Sequence, residues 1–235
     1  MGSGNGNRRR AHLVWDWNGT LLHDIHAVID ATNATFAELG MEPITLERYR
    51  DLYCVPVQRF YERLLGRLPT EAEWEVMDEV FHREYALRLE GVALADGAAE
   101  LLGAGAAAGR TQSLCSLAPH AQLLPLVRTH GIERHFLRVD GVGGPLDVLP
   151  EGRGKGPQMA AHLRELAAAG GVDPARTVVI GDAADDALAA RHAGADAVLY
   201  TGGSHSRASL AETGAPVVDS LAEAVEVAEE MAVRG

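Results

Sequence analysis

The chain has 235 residues, enough to bury a sizeable core as one large domain or as a core with an insertion. Its formal net charge is -12, from 33 Asp and Glu against 21 Lys and Arg. This balance disfavours nucleic acids and anionic membranes as partners, because no contiguous basic surface is available to neutralise phosphates.

The start of the chain and its cysteines indicate where the protein works. The one basic run, residues 8–10, follows a Gly- and Asn-rich start, so residues 1–10 are expected to form a disordered tail. Neither a signal-type apolar segment nor a membrane span follows. Cys54 and Cys115 lie far apart in apolar neighbourhoods, which is typical of free thiols in a reducing compartment. We therefore expect a cytoplasmic protein.

Six short apolar segments predict β-strands. Roughly ninety residues without a strand separate the first from the second, whereas helical segments separate most of the later ones. Strands that alternate with helices are typical of a parallel sheet with helices on both faces. The predicted strands are residues 12–17, 111–116, 136–140, 177–181, 197–200 and 216–218.

The strand-poor stretch is predicted to be helical. Its apolar residues recur at helical spacing, and Pro43, Pro56 and Pro69 interrupt the pattern. We expect a small all-helical domain, inserted after the first strand, that covers the edge of the sheet. It would span residues 23–92, while residues 11–22 and 93–235 form the α/β core. The predicted helices are residues 25–39, 46–52, 57–65 and 71–90.

Asp16 ends the apolar run of residues 12–15 and opens the turn Asp-Trp-Asn-Gly-Thr at residues 16–20. The Asn-Gly pair is also a strong hairpin signal. The apolar residues that follow recur at helical spacing, however, so a strand-turn-helix junction is the better interpretation. Such a junction places a carboxylate at the carboxyl edge of the sheet, where ligands bind in open α/β folds.

A second acidic turn follows the fourth predicted strand. Asp182 comes directly after it, and Asp185 and Asp186 begin the next helical segment. Taken alone, these acids could simply cap a helix N-terminus. Paired with Asp16, they could share a hard cation, since Mg²⁺ is held by carboxylates, a carbonyl, water and phosphate oxygens.

Two further residues suit an anionic ligand. Lys155 is the only lysine in the chain, which suggests a site that needs a compact ammonium; the alternative is a solvated loop residue. The glycines around it do not form a P-loop. Ser116 ends the second predicted strand just before a helical segment, where a hydroxyl and free N–H groups can bind an anion. A plain helix cap would look the same.

The order of these four segments resembles the four motifs of the haloacid dehalogenase (HAD) superfamily. Residues 181–194 resemble its phosphoglycolate-phosphatase-like branch in particular. The resemblance implies a Rossmann-like core with a helical C1-type cap inserted after the first motif. It also implies that Asp16 is a nucleophile that forms an aspartyl-phosphate.

The remaining roles are implied by the same resemblance. Asp16, the backbone carbonyl of Asn18 and Asp182 would bind Mg²⁺, and Asp186 would support the metal indirectly. Phosphoryl oxygens would be held by Thr20 and Ser116. Lys155 would neutralise charge between the nucleophile and the phosphate, where like-charge repulsion has to be offset.

Asn18 departs from the family pattern. The phosphatases carry a second Asp at this position, which protonates the leaving group and then activates water, and an amide cannot do either. General acid–base help is typically worth about 10²–10⁴ in rate. Three alternatives are open: the enzyme is slow, another acid such as His23 or Asp24 serves, or the protein does not hydrolyse its ligand.

The sequence thus predicts a Mg²⁺-dependent phosphomonoesterase that acts on a small phosphorylated metabolite, with a sugar-phosphate-bearing specialised metabolite as one candidate. The alternative is a catalytically silent phosphate-binding protein. A dehalogenase is disfavoured by Asp182, and a phosphonatase by the absence of lysine from residues 23–92. Candidate substrate contacts in the insertion are Tyr53, Arg59 and Phe60, although packing explains most of its aromatic residues. The oligomeric state stays open.

Overall fold

The computed structural model describes residues 10–143, 155–170 and 172–234. Within them, six strands form one sheet in the order β3-β2-β1-β4-β5-β6, and every neighbouring pair is parallel. The strands are β1 (His12–Trp15), β2 (Gln112–Pro119), β3 (Val139–Val142), β4 (Thr177–Gly181), β5 (Asp196–Tyr200) and β6 (Val217–Val218).

The four helices that follow the first strand form the insertion, and the remaining helices pack against the sheet. Between β1 and β2 lie α1 (Ile25–Glu38), α2 (Leu46–Leu52), α3 (Val57–Leu65), α4 (Glu71–Leu89) and α5 (Ala98–Ala107). The later helices are α6 (His120–Thr129), α7 (Lys155–Ala168), α8 (Ala184–Ala193), α9 (Arg207–Ala211) and α10 (Leu221–Arg234). The predicted fold class, a Rossmann-like parallel sheet with an all-helical insertion, is confirmed.

Two apolar cores lie on the two faces of the sheet. Leu13 and Trp15 of β1 pack into one core with residues of α5, α6 and α10, whereas Val14 packs into the other with residues of α7, α8 and α9. Successive side chains of a strand point to opposite faces, so a strand covered on both faces needs an unbroken apolar run. The four residues of β1 meet this requirement, since all are buried.

The insertion has an apolar core of its own. It is built mainly from aromatic side chains, and the ring centroids of Tyr49 and Phe60 lie 5.1 Å apart. At the start of α4, Thr70 and Glu73 form a reciprocal capping box that satisfies two otherwise unpaired N–H groups. The buried members of this core are Ile25, Phe36, Ile44, Tyr49, Phe60, Tyr61 and Met77.

The chain enters and leaves the insertion through two segments that lie side by side. The His23 N–H donates to the Ala93 carbonyl at 3.0 Å, and the Ala95 N–H donates to the Leu21 carbonyl at 2.8 Å. On the other side of the insertion, the side chain of Arg50 donates to the carbonyls of the loop after β5. These contacts hold the insertion against the carboxyl edge of the sheet.

Five of the six strands differ from their predicted bounds, and β2 and β3 differ most. The third strand was expected at residues 136–140 but forms at Val139–Val142, because Glu133–His135 form a 3-10 turn and the strand is only half-buried at the sheet edge. Strand β2 continues beyond Ser116 to Pro119, which pairs with Val142 after a register shift. The predicted tail, apart from Arg10, and the glycine-rich residues before Lys155 lie outside the described residues. None of the described helices is long and apolar enough to cross a bilayer.

Replacing Leu114 with Ala should lower the free energy of unfolding by about 2–5 kcal/mol, because this β2 side chain is fully buried and a cavity would remain. The matched control, Leu188→Ala, removes the same atoms from a residue that is 54% exposed, so we expect a change within about 0.5 kcal/mol. Urea unfolding followed by circular dichroism measures both. Equal losses would contradict the placement of β2 inside the sheet.

Candidate active site

The central strand β1 is the point at which the strand order reverses. It pairs with β2 on one side and with β4 on the other, and the Asp16 N–H donates to the Ile180 carbonyl at 2.9 Å. Because the strands are parallel, the residues after β1 and β4 emerge at the same edge of the sheet. Asp16 and Asp182 therefore meet at a topological switch point, where ligands bind in open α/β sheets.

Three carboxylates are buried together at this edge. Asp16, Asp182 and Asp186 each offer an oxygen atom, and these three atoms lie within 4.8 Å of one another. Burial raises the pKa of Asp16 to about 8 against the opposing effect of Lys155, and the charges of Asp186 and Asp182 add to the increase. Burial and then the charge of Asp186 raise the pKa of Asp182 to about 6. The site thus concentrates more negative charge than its own groups can stabilise.

Lys155 supplies the positive charge of this cluster. It is the first residue of α7, and its Nζ lies 2.5 Å from Asp16 Oδ1 and forms an ion pair with Asp186. Burial alone would lower the pKa of Lys155, but the two carboxylates hold it well above its usual value. Lys155 is therefore a charged residue inside the site and not a solvated loop lysine.

The donor set fits a hard divalent cation. One ammonium faces three carboxylates, which leaves an excess of negative charge, and Mg²⁺ prefers carboxylate oxygens. Asp186 Oδ1 also touches the Lys155 ammonium without a well-directed hydrogen bond, so this buried oxygen retains capacity for a further ligand. Asp185 is half-buried beside the cluster and is not a member of it.

Asp182 is held in place by two loops. The backbone N–H and the hydroxyl of Ser204 both donate to Asp182 Oδ2 at 2.6 Å, and Thr20 Oγ1 lies 3.4 Å from Asp182 Oδ1. Both loops need glycine here. A Cβ on Gly19, which has a φ of 71°, would lie 2.6 Å from Asp182 Oδ2, and one on Gly203 would lie 2.0 Å from the same atom.

Asp186 combines a structural and an electrostatic contact. Its Oδ2 accepts a hydrogen bond from the Ala183 N–H at 3.0 Å, which caps the start of α8. Its other oxygen faces Lys155. Asp186 therefore caps the helix and also lies in the charged cluster.

Ser116 lies on the strand next to Asp16. The register pairs Trp15 with Leu114, so Ser116 stands one residue beyond the level of Asp16 on the neighbouring strand. Its side chain is buried, and its Oγ accepts a hydrogen bond from the Ala118 N–H at 3.1 Å. Because the oxygen accepts that bond, the hydroxyl hydrogen can still donate to an anion.

The three candidate residues of the insertion are placed differently. The ring of Tyr53 lies at the boundary with the core, 5.3 Å from the ring of His205. Phe60 is 2% exposed inside the core of the insertion, and Arg59 is an exposed residue that pairs with Glu62. The structure therefore brings Tyr53, but not Arg59 or Phe60, towards the carboxylate cluster.

Sequence reasoning missed the loop after β5 as part of the site. Arg50 Nε and Nη2 donate to the carbonyls of Gly203 and Gly202 at 2.8 and 3.0 Å, and this loop presents Ser204 to Asp182. Burial lowers the pKa of His205, in the same loop, to about 4, so its ring is uncharged at neutral pH. The available signal was the Gly-Gly pair, residues 202–203, which follows a predicted strand after one intervening residue.

The sequence identified Asn18 as a site residue but did not reveal the hydrogen-bond partners of its side chain. Asn18 Nδ2 donates to Asp24 Oδ2 and to the Tyr85 hydroxyl oxygen, each at 2.8 Å. Tyr85 comes from α4 of the insertion. Asp24 also accepts a bond from the Gly19 N–H at 2.7 Å, which ties it to the turn that carries Asp16.

Known proteins match this chain over most of its length. A protein of Pseudomonas putida named "Probable phosphoglycolate phosphatase" is 31% identical over 209 residues, or 86% of this chain and 80% of the relative. The phosphoglycolate phosphatase of Rhodospirillum rubrum is 29% identical over 214 residues, or 88% and 85%. A profile described as HAD-hydrolase-like matches residues 154–224.

A solved structure also resembles this chain over most of its length. The crystal structure of CbbY from Rhodobacter sphaeroides in complex with xylulose-(1,5)bisphosphate superposes with a TM-score of 0.66 at 26% identity, covering 91% of this chain and 96% of the other. The fold, the acidic site at the switch point and the sequence similarity all indicate the same family. The chain belongs to the haloacid dehalogenase superfamily, in its phosphoglycolate-phosphatase-like branch with a helical cap, and is a phosphatase that hydrolyses phosphoric monoesters.

Proposed function

We propose that this phosphatase is Mg²⁺-dependent and acts through an aspartyl-phosphate on Asp16. The observation that carries the proposal is the buried contact of Lys155 with Asp16, inside a cluster of three carboxylates at the switch point. An ammonium placed there offsets the repulsion between an anionic nucleophile and an anionic phosphate. Such positioning and charge stabilisation are the main tasks in phosphoryl transfer.

The residues that would hold Mg²⁺ are Asp16, Asp182 and the backbone carbonyl of Asn18, with Asp186 acting indirectly. The excess of negative charge in the cluster supports this assignment. When bound, the cation would supply charge neutralisation for the phosphoryl group. Ser204 and Thr20 orient the carboxylate of Asp182 toward that position from outside the cluster.

The chemistry on Asp16 has two steps. In the first, a carboxylate oxygen of Asp16 attacks phosphorus and the ester oxygen leaves with the bonding electrons. In the second, water attacks the phosphorus of the aspartyl-phosphate, which releases phosphate and restores Asp16. Thr20 and Ser116 would donate hydrogen bonds to the phosphoryl oxygens, and the Lys155 ammonium would stay on the nucleophile side throughout.

The substrate is proposed to be a small phosphorylated metabolite. Relatives are named for phosphoglycolate, and the CbbY structure holds a sugar bisphosphate, so both ligand types support this size class. We assign residues 23–92 as the cap that closes over the substrate, with Tyr53 as its candidate contact. The catalytically silent alternative is not favoured, because the relatives are named as enzymes. Two free cysteines support a cytoplasmic location.

Asp16→Asn is expected to abolish turnover, because an amide oxygen cannot form the covalent phosphoryl intermediate. Release of inorganic phosphate from a panel that includes 2-phosphoglycolate, sugar phosphates and aryl phosphates, with and without Mg²⁺, measures the effect. Asp185→Asn is the control, because it alters a neighbouring acid outside the cluster. A folded Asp16→Asn protein that retained more than about 1% of the activity would contradict the nucleophile assignment.

Asp182→Asn tests the metal site without an activity assay. Mg²⁺ that binds only the native state should raise the free energy of unfolding of the wild type by about 2.7 kcal/mol at a hundredfold excess over Kd. The melting temperature should rise accordingly. The variant lacks a proposed ligand and should show little or no increase, whereas Asp185→Asn should respond like the wild type. An unchanged Mg²⁺ response in Asp182→Asn would rule out this ligand set.

Lys155→Arg keeps the charge but replaces a compact ammonium with a larger planar group. Lys155 is buried between two carboxylates, so we expect kcat to fall by roughly 10²–10³, the range seen when a single stabilising donor is lost. The control is Arg191→Lys, the reverse exchange at an exposed bond to the Thr213 carbonyl, which should leave kcat unchanged. Wild-type rates in Lys155→Arg would show that the ammonium is not needed between the anions.

A further inference from the structure

The hydrogen bonds around Asn18 determine which way its amide faces. A carboxylate only accepts hydrogen bonds, so the group 2.8 Å from Asp24 Oδ2 must be the NH₂ of Asn18. The hydroxyl of Tyr85 donates its one hydrogen to the same oxygen at 2.5 Å, and its own oxygen therefore accepts the second N–H of Asn18. Both N–H groups are engaged within this cluster, which leaves only Oδ1, an acceptor, for anything in the active site.

The cluster is built to keep this orientation. Asp24 is 1% exposed and accepts hydrogen bonds from Asn18, from Tyr85 and from the Gly19 N–H. Burial, and then the charge of Asp24, raises the pKa of Tyr85 above its usual value, so the phenol keeps its proton. Reversing the amide would place its oxygen against the Asp24 carboxylate, which only accepts hydrogen bonds, and would take the donors of Asn18 away from their partners.

The other protic groups around the site are engaged as well. The Ser204 hydroxyl donates to Asp182, so it must accept from His205 Nδ1–H at 3.0 Å. This fixes the neutral tautomer of His205, in which Nε2 is an acceptor. The ammonium of Lys155 is committed to carboxylates. Among the described residues, the hydroxyls of Ser116 and Tyr53 have no hydrogen-bond acceptor, and that of Thr20 makes only a long contact of 3.4 Å with Asp182 Oδ1. Burial raises the pKa of Tyr53, and all three hydroxyls are far too weakly acidic to protonate a leaving group.

The sequence suggested two possible replacements for the missing general acid, Asp24 and His23. Asp24 already accepts three hydrogen bonds, as described, and has no proton to give in that arrangement. His23 is exposed, and its ring lies against that of His26 at 5.8 Å. Asp24 is therefore an acceptor in this structure, and His23 is a solvent-exposed residue.

From these contacts we infer that Asp24 and Tyr85 are positioning residues that hold Asn18 as an acceptor, so that this phosphatase is selective for phosphomonoesters of acidic hydroxyls such as phenols. The inference rests on the proposed function, because it assumes attack by Asp16. The ester oxygen leaves as a phenolate with the bonding electrons, and solvent protonates it afterwards. A phenol has a pKa of about 10 and tolerates such a departure far better than an aliphatic alcohol does.

The second step balances without a base from the protein. Water adds through its oxygen to the phosphorus of the aspartyl-phosphate, the bond to Asp16 breaks, and Asp16 leaves as a carboxylate. Both hydrogens of the water stay with the product, which departs as dihydrogen phosphate. Asn18 Oδ1 can accept a hydrogen bond from this water and orient it. The amide therefore serves the second step while giving no help to the first.

The boundary between insertion and core suits an aromatic leaving group. The ring of Tyr53 is stacked on that of Tyr49 at 5.0 Å and meets the uncharged ring of His205 edge-on at 5.3 Å. Such surfaces pack favourably against a further ring. This supports an aryl phosphate over a small aliphatic ester.

The test is kcat/KM for a series of aryl and alkyl phosphates, measured with Mg²⁺. For the wild type we expect a steep dependence on the leaving group, with alkyl phosphates slower than aryl phosphates by about 10²–10⁴, the value of the missing acid catalysis. The double variant Asn18→Asp/Asp24→Asn exchanges the carboxylate and the amide and keeps the number of charges. It should speed alkyl phosphates at least tenfold and leave activated aryl phosphates within about twofold.

Tyr85→Phe is the control for a merely structural effect. It loosens the cluster but supplies no acid, so it should slow all substrates to a similar degree and leave the slope of the series unchanged. If kcat/KM of an active wild type did not depend on the leaving group, the inference would be refuted and the phosphatase proposal would stay intact. This outcome does not require the double variant to fold. No phosphate release from any ester, with or without Mg²⁺, would refute both.

Discussion

The arrangement depends on one electrostatic constraint, namely that three buried carboxylates at one edge of a sheet share a single ammonium. Charges of one sign repel strongly when they are removed from water, so such a cluster exists only where the fold holds it in place. Lys155 begins a helix, and Asp16 and Asp182 end adjacent strands. None of these backbone positions can move without disturbing the core.

The free-energy cost of burying these charges is offset by apolar packing elsewhere in the fold. Strands β1 and β4 are buried along their whole length, and apolar cores on both faces keep them in register. The polar contacts around the site then orient the carboxylates individually, through Ser204 for Asp182 and the Ala183 N–H for Asp186. A rigid platform with oriented charges is what phosphoryl transfer requires, since the barrier is lowered mainly by positioning and electrostatics.

The insertion contributes side-chain contacts to the candidate site. Arg50 binds the loop that presents Ser204, and Tyr85 joins the hydrogen bonds that orient Asn18. The insertion and the core are thereby linked at two places near the carboxylate cluster. The relatives named for phosphoglycolate match this chain in sequence over most of its length. This chain carries an amide, Asn18, two residues after Asp16, and Asp24 and Tyr85 engage both of its N–H groups.

The sequence alone determined the features that depend on local periodicity. Helices α2 and α3 and strand β4 begin and end at the predicted residues, because apolar spacing and flanking prolines are local signals. Strand β3 was displaced because a half-buried edge strand carries a weak pattern. The order of four motifs was also enough to propose Asp16, Lys155 and Asp182 as one site. Only the tertiary structure decided which polar groups meet, since Tyr85 and Asp24 are 61 residues apart and Arg50 and Gly203 are 153 apart. A hydrogen bond between such residues leaves no periodic trace in the chain, because it depends on how the insertion packs against the sheet.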